Sequence, residues 1–178
     1  MNGIVVAISG GIGSGKTSLA SALVEHWKVP HASFGAFVRS EAAERGVPID
    51  REHLQDLGET LIREFGWDKF CRATLQAGGW TTGATAVVEG VRHEAAFDAI
   101  SKIVSPTRCV LVFIDADFKL REQRLVGGSL GQDLAKAEAH STEQDVKSRL
   151  RERANLILDG TSTLGSLVAQ VHAAFSSD

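Results

Sequence analysis

Short apolar runs alternate with amphipathic stretches along most of the chain. Five runs are rich in Val, Ile, Leu or Phe and end near a polar residue or a glycine, which is typical of buried β-strands. They cover residues 3–9, 30–34, 85–89, 108–114 and 156–159. Helical spacing of apolar residues predicts α-helices over residues 16–27, 35–45, 51–65, 68–78, 93–102, 117–126, 142–153 and 164–175. This alternation predicts βαβ units, and therefore an α/β fold with a largely parallel sheet and helices on both faces.

Two segments differ from the regular alternation. Residues 35–79 form a mostly helical insertion that is longer than an ordinary crossover, so we interpret it as a substrate-binding subdomain. Residues 127–141, which begin with Gly127 and Gly128, are predicted to form a short lid. No repeat or linker interrupts the sequence, and 178 residues match the usual size of one domain, so we expect a single domain over residues 1–178.

The composition excludes few classes of protein but limits the partners. Hydrophobic residues make up 43% and charged residues 23% of the chain, as in ordinary globular proteins. A net charge of −3 argues against a protein that mainly coats duplex nucleic acid, although it leaves room for a local basic groove. Cys71 and Cys109 lie in apolar stretches without metal-ligand spacing and are expected to be reduced thiols. Reduced thiols predict a cytoplasmic protein. Because no apolar run is long enough to span a membrane, we expect no membrane contact.

The strongest chemical signal comes directly after the first apolar run. Residues 10–17 read Gly-Gly-Ile-Gly-Ser-Gly-Lys-Thr, which satisfies the phosphate-binding pattern G-x-x-x-x-G-K-[ST]. A strand would deliver this loop to a helix N-terminus, where glycines can adopt positive φ and backbone N–H groups can surround a phosphate chain. Lys16 would reach the β- and γ-phosphates of ATP, and the Thr17 hydroxyl would hold Mg²⁺. The expected nucleotide-binding residues of this loop are Gly10, Gly11, Ile12, Gly13, Ser14, Gly15, Lys16, Thr17 and Ser18.

A carboxylate and an arginine follow the third predicted strand. Glu89 would lie beside Thr17 if the first and third strands are neighbours, where it could order a metal-bound water or accept the proton of an attacking hydroxyl. Arg92 would direct its guanidinium at an acceptor phosphate, because arginine binds phosphate with two parallel hydrogen bonds. Lys16, Glu89 and Arg92 are thus the predicted catalytic residues, and Thr17 and Glu89 the metal site. The alternative interpretation is that Glu89 and Arg92 are solvated side chains.

These motifs, together with two further segments, give the chain a resemblance to a known family. It resembles the adenylate kinase and nucleoside monophosphate kinase superfamily of P-loop phosphotransferases, particularly the branch related to dephospho-CoA kinase and to archaeal adenylate-kinase-like proteins. The similar segments are the phosphate-binding loop of residues 10–17, called the P-loop from here on, and three others. These are residues 33–39 (Ser-Phe-Gly-Ala-Phe-Val-Arg), 89–92 (Glu-Gly-Val-Arg) and 123–127 (Gln-Arg-Leu-Val-Gly). The resemblance implies a three-layer α/β/α P-loop NTPase fold with a five-stranded parallel sheet, a helical acceptor-binding insertion and a short lid.

The resemblance also implies roles for individual residues. In the family, the arginine of the segment that opens the acceptor site grips the phosphate of the nucleotide being phosphorylated, which implies that Gly35 and Arg39 bind the acceptor together with Arg92. The first lid arginine of the family stacks on the adenine of ATP, so Arg124 is expected to clamp the donor base. Residues 159–161 are similar to the loop that lines the adenine pocket, which implies that Gly160 and Thr161 contact the donor nucleotide.

Two departures from the family pattern affect the expected mechanism. Ala36 stands where the family has an aspartate, and Gly128 stands where a second lid arginine neutralises the transferred phosphate. Loss of such an arginine slows phosphoryl transfer severely unless another cation replaces it. Arg149 and Arg153 share one face of the predicted helix 142–153 and are candidates for that role. An ordinary charged helix surface explains them equally well.

The expected function is that of an ATP- and Mg²⁺-dependent phosphotransferase acting on a phosphorylated small molecule, as a nucleoside monophosphate kinase does. A dephospho-CoA kinase, and a kinase of modified bases or polynucleotide ends, are alternatives in the same class. A nucleotide-dependent switch or regulatory ATPase is the alternative of another class. Ala36 and Gly128 favour the switch, whereas Arg39 and Arg92 argue against it because a switch needs no second phosphate site. The sequence identifies neither the acceptor nor the oligomeric state.

Overall fold

The computed structural model describes residues 3–125, 134 and 149–175, and within them the core is a five-stranded parallel sheet. The strands are β1 (Ile4–Gly10), β2 (His31–Ser33), β3 (Ala86–Glu89), β4 (Arg108–Asp115) and β5 (Leu156–Asp159). Their order across the sheet is β2-β3-β1-β4-β5, and every neighbouring pair is parallel. The first and third strands are therefore neighbours, which is the condition under which Glu89 can lie beside the P-loop.

Helices cover both faces of this sheet. In the described part of the chain they are α1 (Lys16–Trp27), α2 (Phe34–Arg45), α3 (Arg51–Ala77), α4 (Glu94–Val104), α5 (Phe118–Leu125), α6 (Arg151–Arg153) and α7 (Leu164–Phe175). Val5 and Ala7 of β1 pack in the cluster formed with α2, α3 and α4, whereas Val6 and Ile8 pack with α1 and α7. Because successive residues of a strand point to opposite faces, the fully buried β1 contributes to both layers. The predicted three-layer α/β/α arrangement is confirmed.

The helices of the predicted insertion begin at side-chain caps. The Oγ atom of Ser33 accepts a hydrogen bond from the backbone N–H of Ala36 at 3.2 Å, and the Oδ1 atom of Asp50 accepts one from the N–H of His53 at 3.1 Å. Such caps satisfy N–H groups that have no partner inside the helix. They fix α2 directly after β2 and start α3 at Arg51.

A kink at Gly66 divides α3. The sequence pattern predicts two helices, 51–65 and 68–78, and the structure instead has one element, Arg51–Ala77, that is broken by the non-helical dihedral angles of Gly66 (φ 72°, ψ 163°). Glycine adopts such angles readily, whereas they strain any residue with a Cβ. Beyond the kink, Phe70 and Leu75 return to the core against the sheet. The two predicted helices therefore exist, but they are joined by a bend rather than by a loop.

Much of the predicted lid cannot be compared with the structure. Residues 127–133 and 135–141 lie outside the described residues, and so does most of the predicted helix 142–153. The end of that helix is described as the short α6, Arg151–Arg153.

The structure can be compared with two expectations based on composition, for the cysteines and for membrane-spanning segments. Cys71 is buried, Cys109 is half-buried, and neither is in a disulfide. Burial raises the pKa of the Cys71 thiol to about 12 and that of Cys109 to about 11, so both are protonated near neutral pH. No helix within the described ranges has the length and apolar character needed to cross a bilayer.

Gly66→Ala is expected to lower the free energy of unfolding by about 1–3 kcal/mol, because alanine must adopt a strained pair of dihedral angles at the kink. A Cβ at this position would have no atom within 4 Å, so the loss would come from the backbone alone. Urea unfolding followed by circular dichroism measures it.

Gly165→Ala, in the first turn of α7, is the matched control for this variant. It adds the same methyl group in open space and at helical dihedral angles, so it should leave stability unchanged or raise it slightly. Equal unfolding free energies for the Gly66→Ala variant and the unmodified protein would show that the kink is not strained for alanine.

Candidate active site

The loop between β1 and α1 has the backbone form of a phosphate-binding loop. Gly10, Gly13 and Gly15 have φ values of 145°, 76° and 101°, which agrees with the sequence prediction for these three glycines. Gly15 is the N-cap of α1, and no side chain in the described part of the protein caps this helix start. The first N–H groups of α1 thus face the space in which a phosphate chain would be bound.

Gly11 differs from the other glycines of the loop. Its φ is not positive, and a Cβ here would lie 2.6 Å from Nη1 of Arg121. Arg121 is only 3% exposed, and it donates hydrogen bonds to the carbonyl oxygens of Ala116 (2.9 Å) and Ile12 (3.2 Å). Gly11 therefore makes room for a buried arginine that supports the loop from α5. The sequence interpretation missed Arg121, whose one signal was its position three residues before Arg124 on a predicted helix.

Arg124 joins the P-loop to the loop after β5. Its Nη1 donates to the carbonyl oxygen of Ser14 at 3.1 Å, and its Nη2 donates to that of Gly160 at 2.7 Å. Thr161 is oriented by Asp159, whose Oδ1 accepts hydrogen bonds from the Thr161 N–H (2.8 Å) and hydroxyl (2.7 Å). The residues assigned to the donor nucleotide outside the P-loop therefore lie together beside it. They are Arg124, Gly160 and Thr161. The stacking of Arg124 on a base stays a prediction.

Lys16 is folded back over its own loop. Its Nζ donates hydrogen bonds to the carbonyl oxygens of Gly10 (2.8 Å) and Gly11 (2.7 Å). Burial of the ammonium group, and next the positive charge of Arg92, lower the pKa of Lys16 to about 7, while Glu89 acts in the opposite direction. The phosphate loop therefore holds a lysine whose charge depends on whether an anion is near.

Glu89 is a buried carboxylate at the carboxyl end of β3. It pairs in register with Ile8 of β1 and with Ser33 of β2, and it is 8% exposed. The Ser33 hydroxyl donates to Oε1 at 2.9 Å, and Nε2 of His31 lies 3.9 Å from the same oxygen. Its other oxygen, Oε2, is buried without a hydrogen-bond partner among the described residues. Since such an atom is costly unless it is satisfied, Oε2 suits a metal-bound water, a cation or an acceptor hydroxyl.

A cavity of about 510 Å³ lies where the P-loop meets α2 and α3. It brings together all six residues that the sequence assigns to catalysis, to the metal and to the acceptor. Those that line it are Lys16, Thr17, Gly35, Arg39, Glu89 and Arg92. Its remaining wall is largely apolar and aromatic, with Phe34, Trp67 and Phe70 among the lining residues. The cavity therefore combines charged side chains with an apolar and aromatic wall.

Arg51, the first residue of α3, is a cation of this cavity that the sequence pattern does not indicate. Burial lowers its pKa, and burial together with the charge of Arg51 lowers the pKa of Arg92 to about 10, against the opposing effect of Glu89. The positive charges of Arg51 and Arg92 both lower the pKa of Lys16 as well. Positive charges that converge in a poorly hydrated cavity are stabilised by an anion. An arginine directly after a helix cap has no local signal that separates it from a surface residue.

Arg149 and Arg153 lie against α4 rather than in the cavity. The Nη1 atom of Arg149 is 3.4 Å from Oε2 of Glu94, and Nη2 of Arg153 is 2.6 Å from Oδ1 of Asp98. Neither arginine lines the cavity. This geometry favours the charged helix surface over a replacement for the lid arginine, and Gly128 itself lies outside the described residues.

The comparison with protein families agrees with the loop geometry. A family model described as an AAA domain matches residues 9–140, which include the P-loop, the helical insertion and Arg124. The chain belongs to this family.

Solved kinase structures share the fold over nearly the whole chain. A gluconokinase from Sinorhizobium meliloti 1021 has a TM-score of 0.63 at 17% identity, covering 98% of this chain and 92% of that chain. A sugar kinase from Janibacter sp. HTCC2649 has a TM-score of 0.56 at 16% identity, with 99% and 95% covered. For shikimate kinase from Aquifex aeolicus vf5 the values are 0.53, 15%, 97% and 96%. These likenesses confirm the P-loop kinase-like fold that the sequence predicts.

A curated relative has a less informative name. A UPF0200 protein from Thermococcus sibiricus (strain DSM 12597 / MM 739) is 24% identical over 124 residues, which are 68% of this chain. The match spans 65% of the length of that relative.

ATP binding at pH 8 without added metal is expected to take up protons. Lys16 is largely neutral at this pH in the free protein because its pKa is about 7, and a bound triphosphate raises that pKa and restores the charge. At pH 6 the lysine is already protonated, so its contribution to the uptake should disappear. Titration calorimetry in two buffers of different ionisation enthalpy measures the protons exchanged.

Lys16→Met is the control for the proton uptake, because it keeps much of the length of the side chain and removes the titrating group. The variant should lose the uptake at pH 8. If it took up as many protons as the unmodified protein, Lys16 would not be the group that titrates.

Proposed function

We propose that the protein is an ATP- and Mg²⁺-dependent phosphotransferase whose acceptor is a small molecule that already carries a phosphate, in the manner of a nucleoside monophosphate kinase. The observation that carries this proposal is a cavity that contains P-loop residues Lys16 and Thr17 together with the arginines Arg39 and Arg92. A loop that only binds and hydrolyses ATP needs no second set of cations beside it.

The donor half would be formed by the P-loop together with Arg124, Gly160 and Thr161. Positive φ at three loop glycines and the uncapped start of α1 support a bound triphosphate. The Ser14 hydroxyl is buried without a hydrogen-bond partner in the part of the chain that is described, which suits a phosphate oxygen. Lys16 would exchange its two carbonyl partners for the β- and γ-phosphates.

Thr17 and Glu89 would hold Mg²⁺, the hydroxyl directly and the carboxylate through water. Among the described residues no group of three His, Cys, Asp or Glu side chains forms a metal cluster, and Mg²⁺ at phosphates needs few protein ligands because it keeps several waters. The orphaned Oε2 of Glu89 fits this role. When bound, the metal would neutralise charge on the transferred phosphate.

In the transfer step, an acceptor oxygen would attack the γ-phosphorus in line while the bond to the β-phosphate oxygen breaks and ADP leaves. An attacking phosphate oxygen has no proton to lose, and Glu89 would then order the metal-bound water; an attacking hydroxyl, as in dephospho-CoA, would give its proton to Glu89. Lys16 and Arg92 would neutralise the charge on the transferred group. Arg39, which is exposed on α2 and lines the cavity, would hold the acceptor phosphate with Arg92. Positioning and charge therefore supply most of the catalysis.

A screen for ADP release tests this proposal. The acceptors are nucleoside monophosphates, dephospho-CoA and single-stranded DNA, with gluconate and shikimate added because the structural neighbours include a gluconokinase and a shikimate kinase. ADP release that depends on a phosphorylated acceptor, and that Lys16→Ala abolishes in a folded protein, is the expected result. Steady hydrolysis that no acceptor stimulates would favour a nucleotide-dependent switch instead.

Arg39→Ala and Arg92→Ala are each expected to lower kcat/KM for the acceptor by roughly 10- to 100-fold, because each removes a charged hydrogen-bond donor to phosphate. ATP affinity should change little. Steady-state kinetics with each substrate varied in turn separates the two effects.

Arg63→Ala is the matched control for these variants. Arg63 lies on the exposed part of α3, where its Nη2 donates to the Thr60 hydroxyl at 3.2 Å, and it does not line the cavity. Its loss should change neither kcat/KM for the acceptor nor the affinity for ATP. A parallel loss of ATP affinity in the Arg39 and Arg92 variants would contradict a separate acceptor site.

A further inference from the structure

A buried side chain continues the link between β1 and β3 where their backbone pairing stops. The last register pair is Ile8 with Glu89, and the next residue after β3, Gly90, has a φ of 83° that ends the extended strand. Beyond this turn, the hydroxyl of Ser9 donates a hydrogen bond to the backbone carbonyl oxygen of Val91 at 2.7 Å. Ser9 is fully buried and lies 82 positions from Val91 in the sequence. The end of β1 is therefore tied to the segment after β3 by a side chain.

This hydrogen bond acts on the backbone from which Arg92 extends. Val91 comes directly before Arg92, whose side chain lines the cavity. Val5 and Ala7 pack in the same apolar cluster as Val91, and Ser9 lies on their face of β1 because alternate residues of a strand share a face. Residue 91 is thus fixed through its side chain by apolar packing and through its carbonyl group by Ser9.

Arg92 needs such an anchor because neighbouring charges repel it. The positive charge of Arg51 contributes to the lowered pKa of Arg92, and that of Arg92 contributes to the lowered pKa of Lys16. The three cations therefore lie within electrostatic reach of one another, and their repulsion favours displacement of the segment that carries Arg92. Residues 90–93 belong neither to β3 nor to α4, so no regular strand or helix pairing opposes that displacement in this part of the structure.

We propose that Ser9 is a positioning residue for Arg92, because its hydroxyl holds the turn after β3 and so keeps the guanidinium in the cavity. The inference rests on the proposed function, in which Arg92 binds phosphate, and it adds a residue that does not itself line the cavity. Misplacement of a binding group by about 1 Å slows an enzyme even when the group itself is intact. Ser9 would therefore affect the acceptor through Arg92 alone.

Ser9→Ala is expected to lower kcat/KM for the acceptor by roughly tenfold and to change ATP affinity by less than about twofold. It should also lower Tm by about 2–8 °C, because the buried carbonyl group of Val91 loses its hydroxyl donor. Ser9→Thr keeps the hydroxyl and should restore most of the acceptor kinetics. Ser9→Cys, which is nearly the size of serine but a weak donor, replaces the alanine variant if that variant fails to fold. Steady-state kinetics and thermal unfolding measure these effects.

Ser101→Ala is the matched control. It makes the same change at a hydroxyl that donates to the carbonyl oxygen of Phe97 at 2.8 Å and that does not line the cavity. This variant should lower Tm without changing kcat/KM for the acceptor.

A double-mutant cycle with Arg92→Ala distinguishes positioning from a general loosening of the fold. If Ser9 acts through Arg92, then Ser9→Ala should have no further effect on kcat/KM for the acceptor in the Arg92→Ala background. Additive losses in the double variant would overturn the inference, and so would unchanged acceptor kinetics in the folded Ser9→Ala protein.

A measurement that needs no acceptor separates this inference from the proposed function. The side-chain Nε–H group of Arg92 gives an NMR signal that Arg92→Lys identifies by removing it. Ser9→Ala should shift or broaden this signal, whereas Ser101→Ala should leave it unchanged. That result without acceptor-dependent ADP release would retain the positioning of Arg92 and refute the phosphotransferase. Acceptor-dependent ADP release, together with an unchanged Arg92 signal in the Ser9→Ala protein, would retain phosphoryl transfer and refute the role of Ser9.

Discussion

The parallel pairing of β1 with β3 is the constraint on which the rest of the site depends. Ile8, two residues before the P-loop, is in register with Glu89. Strand pairing therefore places the Glu89 carboxylate near the loop, although the two are far apart in the sequence. The carboxyl ends of parallel strands meet at one edge, where ligands bind in such folds. β2 pairs on the other side of β3 and adds Ser33, which orients Glu89 and also caps α2. One sheet edge therefore positions the loop, the carboxylate and the start of the insertion.

Charge is distributed unevenly around that edge. Lys16, Arg39, Arg51 and Arg92 line one cavity in which Glu89 is a buried carboxylate. The lowered pKa values of Lys16 and Arg92 have burial as their first cause and neighbouring cations as their second. The free protein therefore holds this arrangement at an energetic cost, which an anionic ligand offsets. Binding of an anion in this cavity would therefore also neutralise the charges of the cations that line it.

Local patterns made part of this structure predictable. The strands follow from apolar runs, and the positive φ of Gly10, Gly13 and Gly15 follows from a motif in which the backbone must turn around a ligand. Arg51 and Arg121 were not predictable, because their burial depends on residues distant in sequence, as the hydrogen bond from Arg121 to the Ile12 carbonyl illustrates. The segment around Gly66 was ambiguous for another reason. A single glycine between two helical patterns fits a loop and a kink equally well, and only tertiary packing decides between them.

Arg121 and Arg124 have a consequence for how such a protein can diversify. Both act on the P-loop from α5, and Arg124 also binds the loop after β5. In the proposed phosphotransferase, residues of α2 and α3 could change with the acceptor while the P-loop keeps these hydrogen bonds from α5, as expected of a fold that serves different functions.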